Sequence, residues 1–211
     1  MAGHGTSERR GGWIKGIPNA LTIARIGLAS LVFFILAWTA GVFPGQSAAP
    51  DEHTRTVLMI ASFVIFAVAA ITDYFDGYLA RKLNATSPWG VILDPIADKI
   101  AIAAAILGLV VLEPSGAIAI PGFVILFREM FVSGMREGLA PRGIKLPVTM
   151  LAKWKTTVQL VALSLEMLAA ITPDGSPART GAHALLAVAA LLTLWTGWEY
   201  VRGAARALRA P

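Results

Sequence analysis

Four aspartates carry the first chemical signal in this sequence. They occur as Asp73-x-x-Asp76-Gly77 and Asp94-x-x-x-Asp98, with Ala80, Arg81 and Gly90 between them. On helices, Asp73, Asp76, Gly77 and Ala80 share one face, and Gly90, Asp94 and Asp98 form a second stripe. The connector is short, so two neighbouring antiparallel helices can bring all four carboxylates to one cavity. Crowded acids at the ends of long apolar helices repel one another and resist desolvation, at about 2.5–3.5 kcal/mol each in a spanning helix. They must be protonated, paired with bases such as Arg81 and Lys99, or bound to cations. Two hard divalent ions would neutralise all four, and oxygen-only ligands suit Mg²⁺ or Mn²⁺. Two such ions can bridge phosphoryl oxygens and stabilise attacking and leaving groups together. Gly77, Ala80 and Gly90 leave bare helix surface beside the acids, which suits either a bulky ligand or a tight helix crossing. Arg81 suits a diphosphate through its planar fork, or a basic anchor at the interface.

The elements that must hold these residues are membrane helices. Of 211 residues, 56% are hydrophobic and only 15% charged, against about a quarter charged in a soluble domain; the mean hydropathy is +0.67. Apolar runs fall near 20–43, 56–80, 89–112, 117–139, 149–171 and 181–202, each near the roughly 20 residues that cross about 30 Å of hydrocarbon. Pro44-Gly45, Pro88, Pro114, Pro141 and Pro173-Asp174-Gly175 mark the turns between them. The fold expected is all-α and integral to the membrane, six transmembrane helices in one bundle. It comprises an N-terminal segment (1–19), a six-helix domain (20–202) and a basic tail (203–211). Residues 7–16, with Trp13 and Ile14 among charges, read as a short interfacial helix or as a disordered basic tail. The first apolar run is too long for a cleaved signal's core of roughly 7–15 residues and is read as a retained span.

Lys and Arg cluster on one side of that topology. With both termini cytoplasmic, Arg9, Arg10, Lys15, Arg81, Lys82, Arg136, Arg142, Lys145, Arg202, Arg206 and Arg209 share that side, whereas the opposite loops carry Arg55 and Arg179. This places the acids on the cytoplasmic face of a multi-pass inner (cytoplasmic) membrane protein. The formal charge of +5 therefore points to anionic lipid headgroups and not to nucleic acid. The absence of cysteine excludes disulfides, thiolate metal sites and cysteine nucleophiles.

The pattern Asp-x₂-Asp-Gly-x₂-Ala-Arg-x₈-Gly-x₃-Asp-x₃-Asp resembles the signature of the CDP-alcohol phosphotransferases. Asp73, Asp76, Gly77, Ala80, Arg81, Gly90, Asp94 and Asp98 match it without departure, and eight fixed positions coincide by chance only about once in 10¹⁰ starts. The resemblance implies a binuclear Mg²⁺ or Mn²⁺ site on Asp73, Asp76, Asp94 and Asp98, with Asp98 also the candidate general base. It implies that Gly77, Arg81 and Ser87 contact the cytidine diphosphate of CDP-diacylglycerol, with Ala80 and Gly90 beside it. Residues 17–25, including Asn19 and Thr22, resemble a segment that lines the nucleotide pocket in relatives; alternatively Asn19 is an N-cap that starts a helix. Relatives are homodimers, and the same is expected here.

The signature fixes the donor and leaves the acceptor to the later helices. Arg128-Glu129 through Arg136-Glu137, and Lys153-Trp154-Lys155 through Gln159, resemble segments of the bacterial phosphatidylglycerophosphate synthases. Arg128, Arg136, Lys153 and Lys155 would form a basic pocket for the phosphate of sn-glycerol 3-phosphate, or would serve the positive-inside rule alone. Arg128 lies about two turns inside, where a lone cation is costly and Glu129 or a bound phosphate would be its partner. Other acceptors (inositol phosphate, phosphatidylglycerol, serine) are competitors, and a carboxylate-lined cation transporter is a more distant one. Trp154, Trp195 and Trp198 read as interfacial belt residues. His4, His53 and His183 receive no role, and Glu166, inside the fifth span, is left as a helix-to-helix or dimer contact.

Overall fold

The computed structural model describes the backbone of residues 5–82, 88–144 and 150–209, with side chains at 19–72, 89–90, 92–144, 150–151 and 154–209. Six α-helices make up nearly all of this: α1 (Gly5–Thr39), α2 (Glu52–Lys82), α3 (Pro88–Leu112), α4 (Gly116–Leu139), α5 (Met150–Ala169) and α6 (Pro177–Arg209). A single 3₁₀ turn, Ala140–Arg142, follows α4 and ends on Gly143, whose φ of 70° places it in the left-handed region. Helix starts follow local chemistry. Asp51 caps α2 by accepting hydrogen bonds from the Thr54 amide (3.0 Å) and hydroxyl (2.7 Å), which hold its carboxyl below the ordinary value. At α6, the Arg179 amide donates to the Ser176 hydroxyl at 3.2 Å, with Pro177 at the first helical position.

Five helices are long and apolar enough to cross a membrane among the described residues: Asn19–Thr39, Glu52–Thr72, Ile92–Leu112, Gly116–Arg142 and Pro177–Arg209. The protein is a multi-pass membrane protein built as one helical bundle. The sixth helix, α5, differs because Lys153, Lys155 and Glu166 fall within its 20 residues. Two of those charges are neutralised inside the bundle, as described below. Residues 5–18 are helical and continue into the first span without a break, so Asn19 lies within α1 and is not its N-cap. Likewise α6 continues to Arg209 and takes most of the expected basic tail into the last helix.

The core lies where α1, α2, α3, α4, α5 and α6 meet, around Leu36, Met59, Phe66, Leu109, Ile125, Leu163, Met167 and Leu186, all fully or almost fully buried. In lipid, helix association comes from packing and interhelical hydrogen bonds, because hydrocarbon outside is as apolar as the core. Close approach therefore matters. A Cβ at Gly108 of α3 would stand 2.6 Å from Leu36 of α1, and one at Gly122 of α4 would stand 2.6 Å from Ile106 of α3. Leucine, isoleucine, phenylalanine and tryptophan side chains cover the outer face, including Trp89, Trp154, Trp195 and Trp198, as lipid contact requires.

Candidate active site

α1 and α3 form the most extensive helix pair, and their register sets the site. The Thr22 hydroxyl donates to Asp94 Oδ1 at 2.7 Å, and Arg25 Nη1 donates to Asp98 Oδ1 at 2.9 Å. Leu36 meets Gly108 about three turns beyond Arg25 and Asp98, so α1 and α3 run in the same direction throughout their contact. Thr22 and Arg25 are three residues apart, Asp94 and Asp98 four, and both pairs stack on facing helix stripes. Thr22 and Arg25 are buried, while the Asp98 side chain stays 58% exposed. The carboxylates thus lie at an open rim, fastened from behind by a hydroxyl and a guanidinium.

Arg25 ends the 17–25 segment singled out in the sequence, but its pairing with an acid was missed. Its signal was present: a cation inside an otherwise apolar span is costly unless paired, and it stands one turn after Thr22. Lys99 had been expected to neutralise an acid; it instead donates to the Pro95 carbonyl at 3.1 Å, because α3 turns it away from the aspartate stripe. Pro95 itself contributes no N–H to α3 between Asp94 and Asp98. Asp73, Asp76, Gly77, Ala80 and Arg81 fall on the last turns of α2. Their side chains, that of Lys153, and Ser87 altogether lie outside the described residues. Gly90 is buried on α3, and Asn19 is half-buried on α1. Among the described residues no three acids or histidines gather to hold a metal; Asp94 and Asp98 supply only the α3 half of the expected set. Their donor chemistry, hard carboxylate oxygens one helical turn apart, fits Mg²⁺ or Mn²⁺.

A narrow cavity of about 60 Å³ opens behind Asp98, lined mainly by apolar groups with Arg25, Phe66, Ala101 and Thr156 among them. Thr156 belongs to α5, and its chain neighbour Lys155 faces a different set of partners. There, Glu129 of α4 is hydrogen-bonded to Lys155 and, at 3.3 Å, to Arg128. Arg128 Nη2 donates to the Thr196 hydroxyl of α6 at 3.2 Å. One turn beyond Lys155, the Gln159 amide donates to the Thr193 hydroxyl at 2.7 Å. α5 therefore presents Thr156 to the cavity behind Asp98 and Lys155, about 100° round the helix, to a buried basic cluster. Of the four cations expected to gather, Arg128 and Lys155 share one carboxylate. Arg136 is exposed, lies over the Tyr200 ring at 5.9 Å and does not share that carboxylate, but it stands close enough to both cations to repel them.

This arrangement can be set beside known proteins. The model of the CDP-alcohol phosphatidyltransferase family matches residues 15–195, a range that includes both the carboxylate rim and the basic cluster. The chain belongs to that family. Among curated CDP-alcohol phosphatidyltransferases, it is 39% identical to the CDP-diacylglycerol–glycerol-3-phosphate 3-phosphatidyltransferase of Cereibacter sphaeroides, over 89% of this chain and 95% of that one. It is 37% identical to the protein of the same name from Rickettsia bellii (89% and 94% covered) and 36% to that of Bacillus subtilis (87% and 92%).

Proposed function

We propose that this protein transfers the phosphatidyl group of CDP-diacylglycerol to sn-glycerol 3-phosphate, giving phosphatidylglycerophosphate and CMP in phospholipid biosynthesis. The observation that carries the choice of acceptor is the buried pair of cations, Arg128 and Lys155, the latter next in the chain to Thr156, which lines the cavity behind Asp98. A phosphorylated alcohol can leave its phosphate with those cations and extend its hydroxyl towards the carboxylates. A neutral acceptor such as serine gives buried cations no such task. The names of the relatives agree with this reading.

In the reaction, the acceptor's 1-hydroxyl attacks the phosphorus that bears diacylglycerol. A new P–O bond forms, the P–O bond to the bridging diphosphate oxygen breaks, and CMP departs with that oxygen. The hydroxyl proton passes to a carboxylate, for which Asp98 is the candidate, oriented by Arg25. Asp73, Asp76, Asp94 and Asp98 would hold two divalent cations, Mg²⁺ or Mn²⁺, which when bound offset charge on the phosphate oxygens. Gly77, Ala80, Arg81, Ser87 and Gly90, with Asn19 and Thr22 on α1, would receive the cytidine diphosphate. Both termini and the site would face the cytoplasm, where the soluble acceptor is made, and the enzyme would work as a homodimer.

The test is CMP release by detergent-purified protein given CDP-diacylglycerol, Mg²⁺ and one of four acceptors: glycerol 3-phosphate, inositol phosphate, phosphatidylglycerol or serine. Release with glycerol 3-phosphate alone, abolished by chelator, is the expected result. Release only with another acceptor would keep the donor and overturn the pocket. Full activity in Asp94→Ala would sink the metal site.

A further inference from the structure

The basic cluster has a feature that a simple anion pocket would lack: its cations already have an anion. Glu129 bonds both Arg128 and Lys155, whose side chains are only 11% and 5% exposed. Such a trio carries a net charge of +1, two cations against one carboxylate. Arg128 is further fixed by Thr196 and by Gly197, where a Cβ would stand 2.9 Å from Arg128 Cγ. Yet Arg128 Nε is buried with no hydrogen-bond partner among the described residues, an N–H donor left over after Glu129 and Thr196 have taken the two terminal nitrogens. A buried donor of a cation without an acceptor is costly, and an incoming phosphate oxygen would satisfy it.

We propose that Glu129 is the specificity-determining counter-ion of this pocket: it neutralises Arg128 and Lys155 until the phosphate of the acceptor shares them. The inference rests on the acceptor reading above and adds to it a residue that no phosphate-binding role would select. Glu129 keeps two buried cations tolerable in the absence of acceptor. By setting the residual charge to +1, it also limits how strongly a stray anion binds. Only an anion that also fits the hydroxyl side of the site, past Thr156 towards Asp98, then binds productively. A fixed structural bridge at Glu129, which merely orients the two cations, makes the opposite prediction about its removal.

The experiment measures equilibrium binding of radiolabelled sn-glycerol 3-phosphate to the full-length protein in nanodiscs, with unlabelled inorganic phosphate as competitor. It compares wild type, Glu129→Gln, Lys155→Gln and the double variant. Removing one buried carboxylate at short range should tighten inorganic phosphate by roughly tenfold in Glu129→Gln. Lys155→Gln, with no net charge left in the trio, should weaken it by a similar factor. The double variant restores a net +1 and should bind phosphate within about threefold of wild type. It removes an ion pair whole, a change that folded proteins tolerate, so it decides the matter even where Glu129→Gln does not fold. Phosphate binding in Glu129→Gln no tighter than in wild type, or a double variant as weak as Lys155→Gln, overturns the proposal. Failure of wild type to release CMP with glycerol 3-phosphate would instead count against the acceptor itself, and is read separately.

Discussion

At the scale of single residues, the site depends on side chains that never need to touch substrate. Arg25 is nine-tenths buried and bonded to an exposed carboxylate, so it works as a positioning residue for Asp98. Arg25→Ala should lower kcat by about 10²-fold, the size of effect that a small misplacement of a reacting group produces. Arg25→Lys should recover part of the loss, and KM for glycerol 3-phosphate should change little in either. A rise in KM with kcat unchanged would move Arg25 from the carboxylate rim to the acceptor. Gly197 gives the complementary case. A Cβ there collides with the stem of Arg128, whereas one at Gly134 of α4 meets nothing within 4 Å. Gly197→Ala should raise KM for the acceptor several-fold by displacing Arg128, and Gly134→Ala should leave it unchanged in the same steady-state assay. The signature aspartates and the basic residues were legible in the sequence because spacing alone puts them on helix faces. Arg25–Asp98 was not, since its partners are 73 residues apart and only the α1–α3 register decides which acid a buried arginine meets.

At the scale of helices, the sequence marked the apolar runs but not what binds α5 to α6. Glu166, which the sequence marks only as a helix-to-helix or dimer contact, and His183, which it gives no role, form one contact. His183 Nδ1 lies 3.0 Å from both Glu166 carboxylate oxygens, and the carboxylate is 1% exposed. Gln159 with Thr193 and Glu166 with His183 pair in opposite order along α5 and α6, so the two helices are antiparallel and stapled twice. Nearby, Arg179 of α6 ties Glu113 at the end of α3 to Asp174 in the connector. Glu166→Leu alone leaves the His183 ring without its partner and should destabilise the bundle by about 1–2 kcal/mol. Glu166→Leu combined with His183→Leu should recover most of that loss. Thermal unfolding in detergent checks both, and additive losses would show that the pair does not act as a unit. Such pairing was illegible because a lone acid and a lone histidine 17 residues apart carry no pattern until helix packing joins them.

At the scale of the whole molecule, α1 and α3 present Asp94 and Asp98, while α4, α5 and α6 hold the basic cluster, and Thr156 of α5 reaches the cavity behind Asp98. The positive-inside asymmetry is the ground for proposing that the signature end faces the cytoplasm. The chain contains no cysteine, so single cysteines report topology without further engineering. Gly11→Cys should react with a membrane-impermeant maleimide only after cells are opened, whereas Ser47→Cys and Asp174→Cys should react in intact cells whose outer barrier is permeabilised. The reverse labelling pattern would invert the bundle and remove the argument for a cytoplasmic site.

The most direct measurement follows the acceptor into the lipid. Purified protein in nanodiscs, given CDP-diacylglycerol, Mg²⁺ and isotopically labelled sn-glycerol 3-phosphate, should place the label in a lipid with the mass of phosphatidylglycerophosphate. One CMP should appear for each labelled lipid formed. CMP without labelled lipid, or label entering lipid only when another alcohol is supplied, would contradict the assignment of Arg128 and Lys155 to the acceptor's phosphate.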